Sequence, residues 1–147
     1  RYGDARREIL RAIECDKPYG HAAEPWTSWG ILCDLEKAQG NKEAADKARQ
    51  QAISLYISYR RDGGENHSGG GRLCLQFLQA MQAKKADEMA GKLQQLANDP
   101  GIPSYMKALI PKLQAILAGD RDPALAADPE LDYDDAAEVL FILENLP

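Results

Sequence analysis

Residues 26–59 read WTSWGILCDLEKAQGNKEAADKARQQAISLYISY, and this stretch is the strongest indication of the fold. Trp29, Leu32 and Cys33 recur at the three- to four-residue spacing of one helical face, and Gly40-Asn41 then interrupts the pattern. Beyond the break, small and apolar residues recur at helical spacing, at Ala45, Ala48, Ala52 and Leu55. Small side chains allow two helix axes to approach closely. The stretch therefore predicts two antiparallel helices joined at Gly40-Asn41.

This pattern resembles the tetratricopeptide repeat (TPR), a helix–turn–helix unit of about 34 residues that opens with a Trp-x2-Leu-small motif and has spaced alanines in its second helix. Trp29, Leu32 and Cys33 match the opening motif. Glu36 and Arg49 stand where the family usually has aromatic residues. The resemblance implies an array of helical hairpins that presents a groove to a protein or peptide partner.

Four residues in this unit are hypothetical partner-binding residues: Trp26, Glu36, Arg49 and Tyr56. Trp26 and Tyr56 offer an aromatic anchor, whereas Trp29 is expected in the core because the repeat signature buries that position. In repeats of this type the first helices line the concave face, so we expect Thr27, Ser28, Cys33 or Glu36 to be exposed there. Arg49 either contacts an acidic ligand or pairs with Glu36 across the hairpin.

The whole chain shows helical periodicity and no alternating strand pattern, which predicts an all-α protein. Seven helices are expected, at about 2–15, 26–39, 42–61, 69–83, 85–98, 104–118 and 133–145. We interpret them as one TPR-like domain over residues 1–147. Residues 1–18 supply the second helix of a truncated repeat, 26–59 the best repeat unit, 69–98 a hairpin, and 104–147 the C-terminal helices and cap.

The last helix is predicted to close the array. Asp132 and Asp135 favour the beginning of a helix, where carboxylates interact well with the positive end of the helix dipole. Repeat arrays need a terminal element that covers the apolar face of the last unit. The predicted apolar stripe contains Ala136, Val139, Leu140, Leu143 and Leu146.

Charge and composition exclude several classes of protein. The net charge is −5, and residues 119–147 hold nine acidic residues and one basic residue, so we expect no binding to nucleic acid. No apolar run approaches the roughly 18 residues of a membrane span. Cys15, Cys33 and Cys74 have no paired spacing and are expected in the core of a cytoplasmic protein. No metal site, cofactor or catalytic motif is predicted.

The segment RRDGGENHSGGGR, residues 60–72, supplies an alternative function. Glycines allow backbone amides to approach an anion, and arginines pair with its charge. A ligand-sensing module would thus bind a small anion through Arg60, Arg61, Asn66, His67 and Arg72. The segment lacks the spacing of a phosphate-binding loop. The other interpretation is a mobile connection from Asp62 to Gly71.

Three further segments resemble the C-terminal part of large bacterial multidomain signalling proteins: residues 17–26, 59–66 and 119–123. In those proteins helical repeats follow a signalling or nucleotide-hydrolysing module. The resemblance implies that any enzyme of a parent protein lies outside these residues. We therefore expect a scaffold or sensor segment without catalytic activity, whose partner is a protein, a peptide or another domain of that parent.

Overall fold

The computed structural model describes all 147 residues, and the predicted all-helical class is confirmed. There are seven α-helices, and the ends of each lie within one residue of the predicted ends. Their bounds are α1 Tyr2–Asp16, α2 Pro25–Ala38, α3 Lys42–Arg61, α4 Gly69–Gln82, α5 Ala86–Asn98, α6 Ser104–Leu117 and α7 Tyr133–Asn145. Two short 3₁₀ segments, Lys17–Ala23 and Pro123–Ala127, lie where only loops were expected. None of the helices has both the length and the apolar character that crossing a membrane requires.

The chain divides into two compact units, Arg1–Asp62 and Gly63–Pro147, where a single array was predicted. The division falls at the glycine-containing connection after α3, where Gly63 has a φ of 93° that glycine adopts readily.

Cys33 and Cys74 are buried, one in each unit, as expected. Cys15 is exposed, because the apolar face of α1 is buried only around Ile13.

The first unit is built around the predicted α2–α3 hairpin. Ala45, Ala48 and Ala52 on α3 are at most 1% exposed, so the two helices pack closely along this row of small residues. Leu32 and Cys33 of α2 and Ile13 of α1 complete the cluster, and Trp29 packs against its edge. The turn uses Gly40 at a φ of 77°, and the amide of Asn41 donates to the carbonyl of Glu36 at 2.9 Å. This arrangement satisfies carbonyls at the end of α2.

The connection between α1 and α2 is folded. Pro18 lies in the first turn of the 3₁₀ segment, where its fixed φ suits helical backbone. Gly20 and Glu24 both have positive φ values, of 55° and 49°, and these reverse the chain toward Pro25 at the start of α2. The hydroxyl of Ser28 donates to Asp16 Oδ2 at 2.9 Å, which ties the two helices together.

The second unit places α4 against α5, α6 and α7. Its core consists of large apolar side chains that are fully buried: Phe77, Leu93, Leu109, Ile110, Leu113 and Ile116.

The last helix, α7, is more deeply buried than a helix that only caps the end of an array. Five consecutive residues of α7, from Asp135 to Val139, are buried, so its first half is enclosed on all sides. Ile142 is buried and Leu143 is only half-buried, which shifts the predicted stripe.

The triple glycine Gly69–Gly71 is ordered helix, and the interpretation of a mobile connection as far as Gly71 is wrong. These residues form the first turn of α4, where Ser68 Oγ accepts from the amide of Gly71 at 3.0 Å. Gly70 and Gly71 are buried. A Cβ on Gly70 would overlap the carboxylate of Asp135, and one on Gly71 would overlap Asn66. The glycines therefore allow close packing at this helix end.

Candidate functional site: a groove beside Trp29

All four hypothetical partner-binding residues are buried. Trp26, Glu36, Arg49 and Tyr56 expose 5–9% of their surface. The expectation that Glu36 lies exposed on a concave face is wrong, because the α1 side chain of Arg6 covers it. These four residues belong to the interior of the first unit and do not form a surface for a partner.

Glu36 is the centre of a polar network that joins three elements. Its Oε1 accepts from Arg6 Nε at 2.6 Å, and its Oε2 accepts from Asn41 Nδ2 at 2.8 Å. Arg6 also donates to Gln39 Oε1. The hydrogen bond from Arg6 and then that from Asn41 hold the pKa of Glu36 below its usual value. Arg6 and Asn41 thus hold the carboxylate of Glu36 in place.

Trp26 and Tyr56 do meet, but inside the protein. The ring centroids of Trp26 and Tyr56 are 5.1 Å apart, and those of Trp26 and Tyr59 are 4.7 Å apart. His21 of the 3₁₀ segment stacks edge-on against Tyr59 at 5.7 Å, and its Nε2 lies 2.7 Å from Asp62 Oδ2. The aromatic residues therefore anchor the α1–α2 connection onto α3. The three-residue spacing of Tyr56 and Tyr59, one helical turn apart, was the available signal for this cluster.

Trp29 is the accessible tryptophan. It is half-buried and forms part of the wall of a concavity of about 310 Å³, which we call the Trp29 groove. The groove lies among α1, the first 3₁₀ segment, α2 and α3, and is lined by Ile13, Asp16, Lys17, Gly20, His21, Pro25, Trp29, Gln51 and Leu55. The sequence predicted Trp29 in the core. The repeat signature does not show that one side of its indole ring stays open to the groove.

A second, shallower concavity of about 560 Å³ shares Trp29 and Gln51 with the groove. It is also lined by Glu43, Asp46 and Lys47. Lys47 Nζ lies 3.1 Å from Glu43 Oε1, and Asp46 is exposed. The indole of Trp29 is therefore an apolar surface with the exposed carboxylate of Asp46 in the same concavity. This combination suits an apolar side chain that is followed or preceded by a basic one.

The residues of the alternative anion site lie in different units. Arg60 and Arg61 end α3 in the first unit, whereas Asn66, His67 and Arg72 belong to the second. Asn66 Nδ2 donates to Asp134 Oδ2 at 3.3 Å, and His67 Nε2 lies 3.2 Å from Glu65. At the start of α4, where backbone amides would receive an anion, the carboxylate of Asp135 packs against Gly70. Asn66 and His67 therefore contact carboxylates of this chain.

No protein-family model matches the chain, and no curated protein or solved structure is significantly similar to it.

Proposed function

We propose that this chain is a protein-interaction module without catalytic activity of its own, and that its first unit binds a peptide in the Trp29 groove. The observation that carries the proposal is the half-buried indole of Trp29, which lines two concavities at once. Tryptophan is among the residues that contribute most to binding at protein interfaces. The tryptophan side chain is rigid and has few rotamers, so little conformational entropy is lost when a partner immobilises it.

The α2–α3 hairpin supports a TPR-like interpretation of this unit. Ala45, Ala48 and Ala52 pack where the repeat places small residues, and Leu32 lies opposite them. In this interpretation, α1 is the second helix of an incomplete preceding repeat. We place the protein in a reducing, cytoplasmic environment, in which Cys15, Cys33 and Cys74 form no disulfide.

The occupant we propose is a peptide with an apolar side chain next to a basic residue. The apolar side chain would lie against Trp29 and Leu55, and the basic residue would pair with Asp46. Among the charged residues that line the two concavities, three are acidic, Asp16, Glu43 and Asp46, and two are basic, Lys17 and Lys47. This balance and the net charge of −5 favour a cationic partner over an acidic one.

The test is a selection of peptides from a random displayed library on the intact chain, followed by measurement of Kd by fluorescence anisotropy. We expect the selected peptides to share an apolar and a basic position. Trp29→Ala should weaken their binding at least about tenfold, because a central interface tryptophan commonly contributes about 2 kcal/mol or more. Asp46→Lys should weaken binding through charge reversal at an exposed position.

The matched control is Ile31→Ala. Ile31 is an exposed apolar residue on the same helix as Trp29, but it lines neither concavity. Its replacement should leave Kd unchanged. Peptides that bind equally well to the Trp29→Ala and Asp46→Lys variants, or that lose affinity only in Ile31→Ala, would refute the proposed site.

A further inference from the structure

One wall of the Trp29 groove is a short segment that has no buried side chain. This segment is the first 3₁₀ helix, Lys17–Ala23, which we call the strap and which connects α1 to α2. Lys17, Gly20 and His21 of the strap line the groove. Burial of apolar side chains is the main force that fixes a segment on a protein. A strap without buried side chains must therefore be held in place by other contacts.

The backbone of the strap contains conformations that need such support. Gly20 has a φ of 55° and a ψ of −138°, a combination that is accessible mainly to glycine. Glu24, directly after the strap, has left-handed helical backbone with a φ of 49°, which is unfavourable for a residue with a Cβ. Conformations of this kind persist only where the surrounding structure holds them. One such contact is the hydrogen bond from the amide of Glu24 to the carbonyl of His21, at 3.0 Å.

His21 joins the strap to α3. Its ring lies edge-on to Tyr59, with the ring centroids 5.7 Å apart, and its Nε2 lies 2.7 Å from Asp62 Oδ2. Asp62 is itself fixed at the end of α3, because its amide donates to the carbonyl of Ser58 at 3.1 Å. Among the side chains of the strap, His21 alone makes a hydrogen bond or ring contact with α3. The position of the strap thus depends on this one side chain.

We propose that His21 and Asp62 form a latch that holds the strap against the Trp29 groove, so that peptide affinity depends on Asp62 although Asp62 lines neither concavity. This inference rests on the proposed function of the groove. With the latch closed, the groove is complete and has a volume of about 310 Å³. With the latch broken, the strap populates open conformations, and the apparent affinity falls with the fraction of chains that keep the groove complete. Asp62 is therefore a positioning residue for the peptide site.

The latch is tested first without a peptide, by digestion of the intact chain with chymotrypsin, which cleaves after aromatic residues. Tyr19 in the strap is 69% exposed, so the rate of cleavage after Tyr19 reports how often the strap opens. Asp62→Ala removes the carboxylate, and His21→Phe removes Nε2 but keeps an aromatic ring beside Tyr59. Each variant should be cleaved after Tyr19 at least about twofold faster, with little change in melting temperature because the pair is partly exposed.

The combined variant provides a readout that a general loss of stability would not give. Asp62→Ala and His21→Phe remove the same contact, so the double variant should be cleaved no faster than the faster of the two single variants. Additive acceleration would show that Asp62 and His21 act independently and would overturn the latch. Cleavage rates equal to that of the unsubstituted chain in both single variants would overturn it as well.

The second measurement is the Kd of a selected peptide for the same variants, by fluorescence anisotropy. Asp62→Ala should weaken peptide binding at least about twofold. The control is the other histidine–carboxylate pair of the chain, His67 and Glu65, which lie 3.2 Å apart and are exposed in the second unit. His67→Phe and Glu65→Ala should change neither cleavage after Tyr19 nor Kd.

The two measurements separate the latch from the proposed function. Faster cleavage in Asp62→Ala with an unchanged Kd would show that the strap opens without affecting the peptide, and would overturn this inference while leaving the peptide site intact. Peptides whose binding does not depend on Trp29 would overturn the proposed function, and the effect of the latch on affinity with it, whatever the cleavage rates.

Discussion

Gly70 is the residue whose identity the structure constrains most tightly. It is buried in the first turn of α4, where the carboxylate of Asp135 occupies the space that a side chain would need. Elsewhere a helical glycine is destabilising, since it loses more backbone entropy on folding than alanine does. At Gly70 this entropic cost is offset by the close packing of Asp135 against α4, which a side chain at this position would prevent.

Gly70→Ala should accordingly destabilise the protein by about 1–3 kcal/mol, because the new methyl group overlaps the carboxylate of Asp135. Gly91→Ala is the matched control in α5, where an added Cβ meets no atom within 4 Å. It should stabilise the protein by about 0.5–1 kcal/mol. Urea unfolding of the two variants measures both effects. A Gly70→Ala variant as stable as Gly91→Ala would contradict the packing described at this position.

Glu36 makes the stability of the first unit depend on pH. Its pKa is lowered in the folded state, so its contribution to stability is present above its unfolded pKa, near 4.5, and is lost as pH falls through the folded value. Glu36→Gln should therefore lower the melting temperature at pH 7, and the difference from the unsubstituted chain should shrink as pH falls below about 4.5.

The control for this prediction is Glu14→Gln. Glu14 pairs with Lys17 at 2.6 Å, but both side chains are largely exposed, and exposed pairs contribute little. Its replacement should change the melting temperature only slightly at any pH. A pH-independent loss in Glu36→Gln would show that its side chain acts through packing and not through its charge.

Among the elements, the α2–α3 hairpin rests on the row of small residues along α3. Ala48→Leu should cost about 1–3 kcal/mol, since Ala48 is 1% exposed and α2 leaves no room for a larger side chain. Ala44→Leu adds the same atoms at an exposed position of the same helix and should change the free energy of unfolding by less than about 0.5 kcal/mol. Equal stability of the two variants in chemical unfolding would contradict close packing of the hairpin.

The helices were predictable from the sequence because each carries its own signals. Gly40-Asn41 ends one periodic run and Pro103-Ser104 begins another, so the ends are encoded within a few residues. The orientations of Trp26 and Trp29 were not predictable in this way. The two residues are one turn apart on α2, and which one is enclosed depends on Tyr56, Tyr59 and the folded α1–α2 connection. These are contacts between distant parts of the chain.

The packing of Asp135 against Gly70 was missed for a related reason. Asp132, Asp134 and Asp135 have the sequence pattern of an ordinary helix beginning, where carboxylates are favourable without any ion. What distinguishes Asp135 is its burial against Gly70, and this contact joins the start of α7 to the start of α4. The glycines themselves suggested an anion site or a mobile connection. Neither interpretation included the carboxylate that packs there.

In the molecule as a whole, the two units offer separate spectroscopic signals. Both tryptophans, Trp26 and Trp29, lie in the first unit, whereas α7 belongs to the second. Deletion of residues 131–147 should remove a helix that packs on α4 and α6, and the exposed apolar side chains should bind a hydrophobic dye. We expect the truncated chain to lose the part of the circular dichroism transition that the helices of the second unit contribute, and to retain the tryptophan fluorescence transition of the full chain. Simultaneous loss of both signals would show that the first unit requires the second.

The proposed function requires that Trp29 contacts a peptide partner while Trp26 does not. The most direct measurement is a nuclear magnetic resonance titration of the two indole N–H signals with a selected peptide, assigned with a Trp26→Phe variant. We predict that the Trp29 signal shifts in a saturable way with the peptide, together with the amides of Gln51 and Leu55, while the buried indole of Trp26 shifts much less. Shifts confined to residues of the second unit, with Trp29 unchanged, would contradict a peptide site in the Trp29 groove.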